Sequence, residues 1–244
     1  MVQKNWMTEQ ENYWQNLDEA LFKDGYNLCD AFLSTGFTKA NLFAAQRKLY
    51  QQIDELIVAF LNRTSSNGNP TACKKGCSFC CHQTVLTSPY ELFYLSDFLQ
   101  KKFRDDALKL IVEKAAFKAE RTSKLKLNKL LNHKQPCPML HPVEGYCRAY
   151  QARPMACRIY LSYDLKSCED DLSNPENDDI YPKLYDMPLR AGRMMNEGFQ
   201  ARIRKGRENN LQIFESSIEE GLLQTFKTNS FENWLKGENV FRKI

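Results

Sequence analysis

Apolar residues along this chain recur at three-, four- and seven-residue steps, the spacing of amphipathic helices. Over residues 6–33, a stretch that includes Trp6, the positions Trp14, Leu17, Leu21, Leu28 and Phe32 mark one face, and Gly36 supplies a stop. A second helix is predicted over 38–62, with Leu42, Ala45, Leu49, Ile53, Leu56 and Phe60 on one side. The polar run 63–70 then reads as a connector. Ser88-Pro89-Tyr90-Glu91 is a capping box with proline at the first helical position, which predicts a helix to about residue 103.

The lysine-rich stretch 105–131 reads as one more helix, with Leu108, Ile111, Val112 and Ala115 inward and Lys114, Lys118, Lys124, Lys126 and Lys129 on a solvated face. Residues 135–163 are short of periodicity and punctuated by proline, and 167–179 read as an acidic, Asn-rich loop. A long helix over 188–225 and a short amphipathic one over 230–242 complete the pattern. Alternating β-branched runs are almost absent. The expected fold is mostly α: a helical bundle-like assembly around a loop-rich cysteine metal-binding module. Its expected regions are 1–71 (N-terminal, helical), 72–169 (cysteine cluster) and 170–244 (C-terminal, helical), joined as one compact unit.

Composition narrows the function. With 34 Lys and Arg against 30 Asp and Glu over 244 residues, the net charge of +4 does not suggest a dedicated nucleic-acid binder. The densest basic run, 202–207, is a weak phosphate signal by itself. The longest apolar run, 56–61, falls far short of the roughly 18 residues needed to cross a bilayer, so no membrane span is expected. The first residues carry no apolar core of a secretory signal, and a cytoplasmic setting is expected. No dinucleotide fingerprint, phosphate loop, nucleophile elbow or zinc-protease helix is present in the sequence.

Nine cysteines against three histidines change the picture. Cys73, Cys77, Cys80 and Cys81 form a C-x3-C-x2-C-C run, and Cys137, Cys147, Cys157 and Cys168 follow at intervals of nine, nine and ten residues between them. Cys29 stands apart inside a helical pattern and reads as a core thiol with no ligand role. In a reducing compartment such thiols stay free of disulfides. A tetrahedral zinc or an iron–sulfur cluster needs several thiolates converging on one point, and a gap of two or three residues lets one turn present two sulfurs.

Gly76 permits the left-handed backbone such a turn often requires. Lys74, Lys75, Arg148, Arg158 and Lys166 are candidate cations for offsetting thiolate charge. The eight thiols therefore make candidate metal ligands: Cys73, Cys77, Cys80, Cys81, Cys137, Cys147, Cys157 and Cys168. Spacing leaves open zinc or iron, and one centre or two. His82 and His141 are secondary candidates.

The residues also resemble a known family. The C-x3-C-x2-C-C start, then Pro136-Cys137-Pro138-Met139-Leu140, then Cys147-x-x-Tyr150-x-x-Arg153-Pro154-x-x-Cys157-Arg158 are similar to the YkgJ-type cysteine-cluster family, the CxxCxxCC zinc- or iron-chelating domain. The resemblance covers about 73–168 and implies a small bacterial metal-chelating protein whose partner is a metal ion and whose biological role is undefined. Arg153 and Pro154 carry over as family positions. A related cysteine pattern in flagellin lysine N-methylases implies an alternative, an iron–sulfur-dependent protein-modifying enzyme.

Overall fold

The computed structural model describes residues 9–206 and 211–242. Trp6 and Arg207, which the sequence reading placed in a helix and in the basic run, lie outside them. Among the described residues the chain forms ten α-helices and one two-residue strand pair, a mostly α fold as expected. The helices are α1 (Glu9–Leu33), α2 (Lys39–Ser66), α3 (Pro89–Lys102), α4 (Asp105–Thr122), α5 (Leu127–Asn132), α6 (Met155–Ile159), α7 (Leu165–Ser173), α8 (Asp186–Lys205), α9 (Ile218–Thr225) and α10 (Ser230–Leu235). The strands β1 (Leu86–Thr87) and β2 (Ser216–Ser217) pair antiparallel, Leu86 opposite Ser217.

Packing follows the predicted stripes. Buried Leu21 and Leu28 of α1, Leu42, Leu49 and Ile53 of α2, and Met195, Phe199 and Ile203 of α8 join one apolar core. That core continues through Leu92, Leu95 and Leu99 of α3 to Leu222 of α9 and Trp234 of α10. Helices α1 and α8 approach so closely that a Cβ on Gly198 would meet the Phe22 carbonyl oxygen at 1.9 Å, and one on Gly25 would meet that of Met195 at 1.9 Å. Ion pairs flank the crossing, Arg190 with Asp18 at 2.6 Å and Arg202 with Asp30.

Glu91, the acid of the capping box, does more than cap α3. Buried at 2% exposure, it accepts from the Ser88 amide (3.3 Å), the Thr87 hydroxyl (3.0 Å), the Tyr50 hydroxyl (2.8 Å) and the Met155 amide (2.8 Å). One carboxylate thus ties α2 and α3 to the first residue of α6. Four donors to a charged acceptor make the burial tolerable.

The boundaries differ from the sequence reading in instructive places. Helix α2 runs a turn further, to Ser66, where the Asn67 amide closes it on the Arg63 and Thr64 carbonyls, each at 3.2 Å. The 105–131 helix breaks at Thr122, whose hydroxyl bonds back to the Lys118 carbonyl at 3.0 Å, and restarts as α5. The expected loop at 167–179 begins as helix α7, started by the Asp164 side chain accepting from the Ser167 amide at 3.2 Å. The expected 188–225 helix is two: α8 ends at Gly206, and an extended stretch pairs with β1 before α9. The last helix stops at Leu235, short of the predicted 242, and the chain turns at Gly237 with φ +82°.

Lys118 departs furthest. It is not on a solvated face but 1% exposed, with Nζ 3.7 Å from an equally buried Glu219 carboxylate and 3.2 Å from the Gln135 carbonyl oxygen it donates to. This pair joins α4 and α9 to the segment entering Cys137.

Candidate metal centre

Each thiol is set in place by local backbone. Thr71 and Ala72 donate to the Ser162 carbonyl at 3.1 and 2.9 Å, and the Ser162 amide donates to Cys73 Sγ at 3.3 Å. Cys77 follows a tight turn in which its amide bonds to the Lys74 carbonyl at 3.0 Å and Gly76 adopts φ +87°. Cys80 and Cys81 sit on a 3-10 turn, Phe79–His82. The Cys137 amide donates to the Cys81 carbonyl at 2.7 Å, which joins the two cysteine stretches through the main chain.

Cys147 closes a small hairpin, bridged to Leu140, whose bend uses Gly145 at φ +67°. A Cβ there would stand 2.7 Å from the Gly76 carbonyl oxygen, so two glycines let the loops of the two stretches touch. Cys157 rides on α6, and Cys168 on α7. Helix α7 packs on the 3-10 turn and is pinned there by Asp171, which accepts from Gln83 and Lys134, each at 2.8 Å.

All nine cysteines are free thiols. Eight of them lie within electrostatic reach of one another. The Cys168 thiol feels Cys73, Cys77 and Cys80, and Cys73 feels Cys77 and Cys80. Cys81 feels Cys137 and Cys147, while Cys157 feels Cys137, Cys80 and Cys147. Cys80 lies between the groups. A thiol hydrogen bond from Cys81 lowers it to about 7, against a burial that raises it, with the Arg153 charge assisting. The same hydrogen bond drives Cys81 well above the usual thiol range. Burial pushes Cys137 up to about 12 and also raises Cys157 well above the usual thiol range.

Cys29 stays outside this assembly, fully buried and raised by burial to about 12. His82 Nδ1 pairs with the Ser78 carbonyl at 3.0 Å, and His141 stacks on Tyr146 while its Nδ1 accepts from the Glu144 amide at 3.1 Å. Among the described residues, no three His, Cys, Asp or Glu side chains already stand at metal-ligand spacing.

The cations are not the expected ones. Lys74 and Lys75 are exposed, Lys166 pairs with Asp170, and Arg158 turns away to Asp54 and the Gln151 carbonyl. The side chain whose charge reaches Cys80, Cys147 and Cys157 is Arg153, with Lys102 contributing at Cys147. Asp54 of α2, which holds both arginines, carried no signal in the sequence beyond its place on an exposed helix face.

Residues 72–180 match the CxxCxxCC family, described as a putative zinc- or iron-chelating domain. The match bears out the resemblance read from the motifs. It takes in all eight clustered cysteines, and it runs to residue 180, past the 169 expected. Helices α3, α4 and α5 lie inside the CxxCxxCC domain, between its two cysteine stretches, whereas α1, α2 and α8–α10 lie outside it. No curated protein matches the chain, and no solved structure does.

The donor set of the CxxCxxCC domain fits either metal. Clustered free thiols, backbone amides aimed at sulfur and a nearby guanidinium are what an all-thiolate site requires. Among the described residues, no helix is long and apolar enough to cross a membrane.

Proposed function

We propose that the chain holds zinc or iron in two four-thiolate centres, one at Cys73, Cys77, Cys80 and Cys168, the other at Cys81, Cys137, Cys147 and Cys157. The observation that carries this reading is the main-chain frame: the Cys137 amide donates to the Cys81 carbonyl at 2.7 Å, and helix α7, which carries Cys168, packs on the 3-10 turn that carries Cys80. Four thiolates complete a tetrahedral shell, so two groups of four use every clustered cysteine. When bound, the metal supplies a soft cation, or in an iron–sulfur form a one-electron couple. The protein's own residues gather the sulfurs, donate amides to them and shield them from water.

Chelation in this reading is reversible and the role is metal handling. The apolar core from α1 to α10 stands on its own packing, so the fold does not depend on the metal as small zinc fingers do. Cys77→Ser is expected to lower bound metal in anaerobically purified protein, while Cys29→Ser leaves it unchanged. Elemental analysis checks both; full metal content in the Cys77 variant removes Cys77 from the ligands.

A second reading, a protein-modifying enzyme built on an iron–sulfur centre, is favoured by one feature. A cleft of about 610 Å³ opens beside Gln151 and Arg158, walled by Tyr50, Asp54 and Tyr94. That reading requires a visible absorbance that bleaches on reduction; a colourless zinc protein excludes it.

A further inference from the structure

The segment Arg153-Pro154-Met155-Ala156-Cys157-Arg158 carries two arginines whose roles differ. Arg158 is 2% exposed and fully occupied. Its Nε donates to the Arg153 carbonyl at 3.0 Å, its two Nη atoms reach Asp54 and the Gln151 carbonyl, and its plane lies 3.9 Å from the Tyr50 ring centre. It is a strut between α2 and α6.

Arg153 is incompletely used. Its guanidinium stacks on Tyr150 at 3.9 Å, and one Nη stands 3.9 Å from Asp54. Its Nε is buried and has no hydrogen-bond partner. A buried guanidinium N–H without an acceptor is costly, and such groups in native proteins usually have one. The Tyr150 on which it stacks donates its amide to the Cys147 carbonyl at 3.2 Å, so the guanidinium is packed against the turn that leaves Cys147. A thiolate is an acceptor, and four of them around a divalent ion leave a net charge of about −2 that a nearby cation offsets.

Resting on the two-centre reading above, we infer that Arg153 is a positioning residue for the second centre: its Nε–H donates to metal-bound sulfur at the Cys147 edge, and Asp54, which lies outside the CxxCxxCC domain, holds the guanidinium there. The carboxylate couples α2 to the metal. It shares itself between two arginines, so it steers Arg153 without cancelling its charge.

The test uses the full chain loaded with cobalt(II), with zinc affinity measured against a chromophoric chelator. Arg153→Met keeps the stem and removes charge and donor. It is expected to shift part of the thiolate-to-cobalt charge-transfer absorption to longer wavelength, since unshielded sulfur gives up its electron more easily. Zinc affinity should fall by about tenfold to a hundredfold, chiefly at the second centre. Arg153→Lys, which restores the charge, should recover part of both effects, and Asp54→Asn should move them the same way by less.

An Arg153→Met protein with the wild-type band and affinity overturns the inference. So does weaker binding with an unmoved band, the mark of a merely structural role. If Arg153→Met does not fold, Asp54→Asn decides: a wild-type band and affinity there overturn the inference. Wild-type protein that takes up no cobalt overturns the chelation reading itself, and the inference with it.

Discussion

Cys29 and Cys80 show how the same side chain takes opposite characters within one fold. Cys29 sits among Leu28, Leu33 and the α8 packing, where burial favours the neutral thiol and raises its pKa from 9.0 to about 12. A group raised on folding holds its proton longer in the folded than in the unfolded chain. Its stability contribution is therefore whole below pH 9 and declines as pH climbs toward 12. Cys29→Ala is expected to flatten the alkaline loss of stability by roughly 1.4 kcal/mol per pH unit over that window, as read by denaturant midpoints. An identical slope in the variant contradicts the assignment. Cys80 differs because a neighbouring thiol donates to it and a guanidinium lies close. The helical stripe around Cys29 identified it as a core residue from sequence. The character of Cys80 comes first from the adjacent Cys81 and then from Arg153, 73 positions away in the chain; the first is local in sequence and the second is not.

At the scale of elements, periodicity located the helices and missed what ends them. Stripes such as Leu42, Leu49 and Ile53 survive into the core because burying one apolar face is worth the same whatever lies on the other. The stop at Thr122 and the start at Asp164 each go with a single hydroxyl or carboxylate hydrogen bond, which many Thr and Asp residues do not make. The buried Lys118–Glu219 pair is the sharpest case, since a lysine among lysines reads as surface until the packing of α4 on α9 encloses it. Removing one partner strands the other charge. Lys118→Met is expected to cost about 3–5 kcal/mol in urea unfolding, and Lys118→Met with Glu219→Leu to recover most of it. A near-neutral single variant would show that the pair contributes little.

The whole molecule is a helical core with a thiol-rich face built along it. The sequence carried the thiol motif in full, because ligand spacing is local. It left open how the thiols divide, because that depends on α7 returning to the 3-10 turn and on the Cys137 segment joining Cys81. With its own core, the chain is expected to keep its helical circular dichroism after metal is stripped by a chelator under reducing conditions, and to lose only some of its thermal stability. Collapse of the helical signal would mean that the metal organises the fold.

The most direct test is a cobalt(II) titration of the reduced, metal-free chain, followed at its charge-transfer absorption, on wild type, Cys168→Ser and Cys157→Ser. Two four-thiolate centres require two equivalents in wild type and one in each single variant, with different spectra remaining. One equivalent in wild type, or both lost from either variant, contradicts the division.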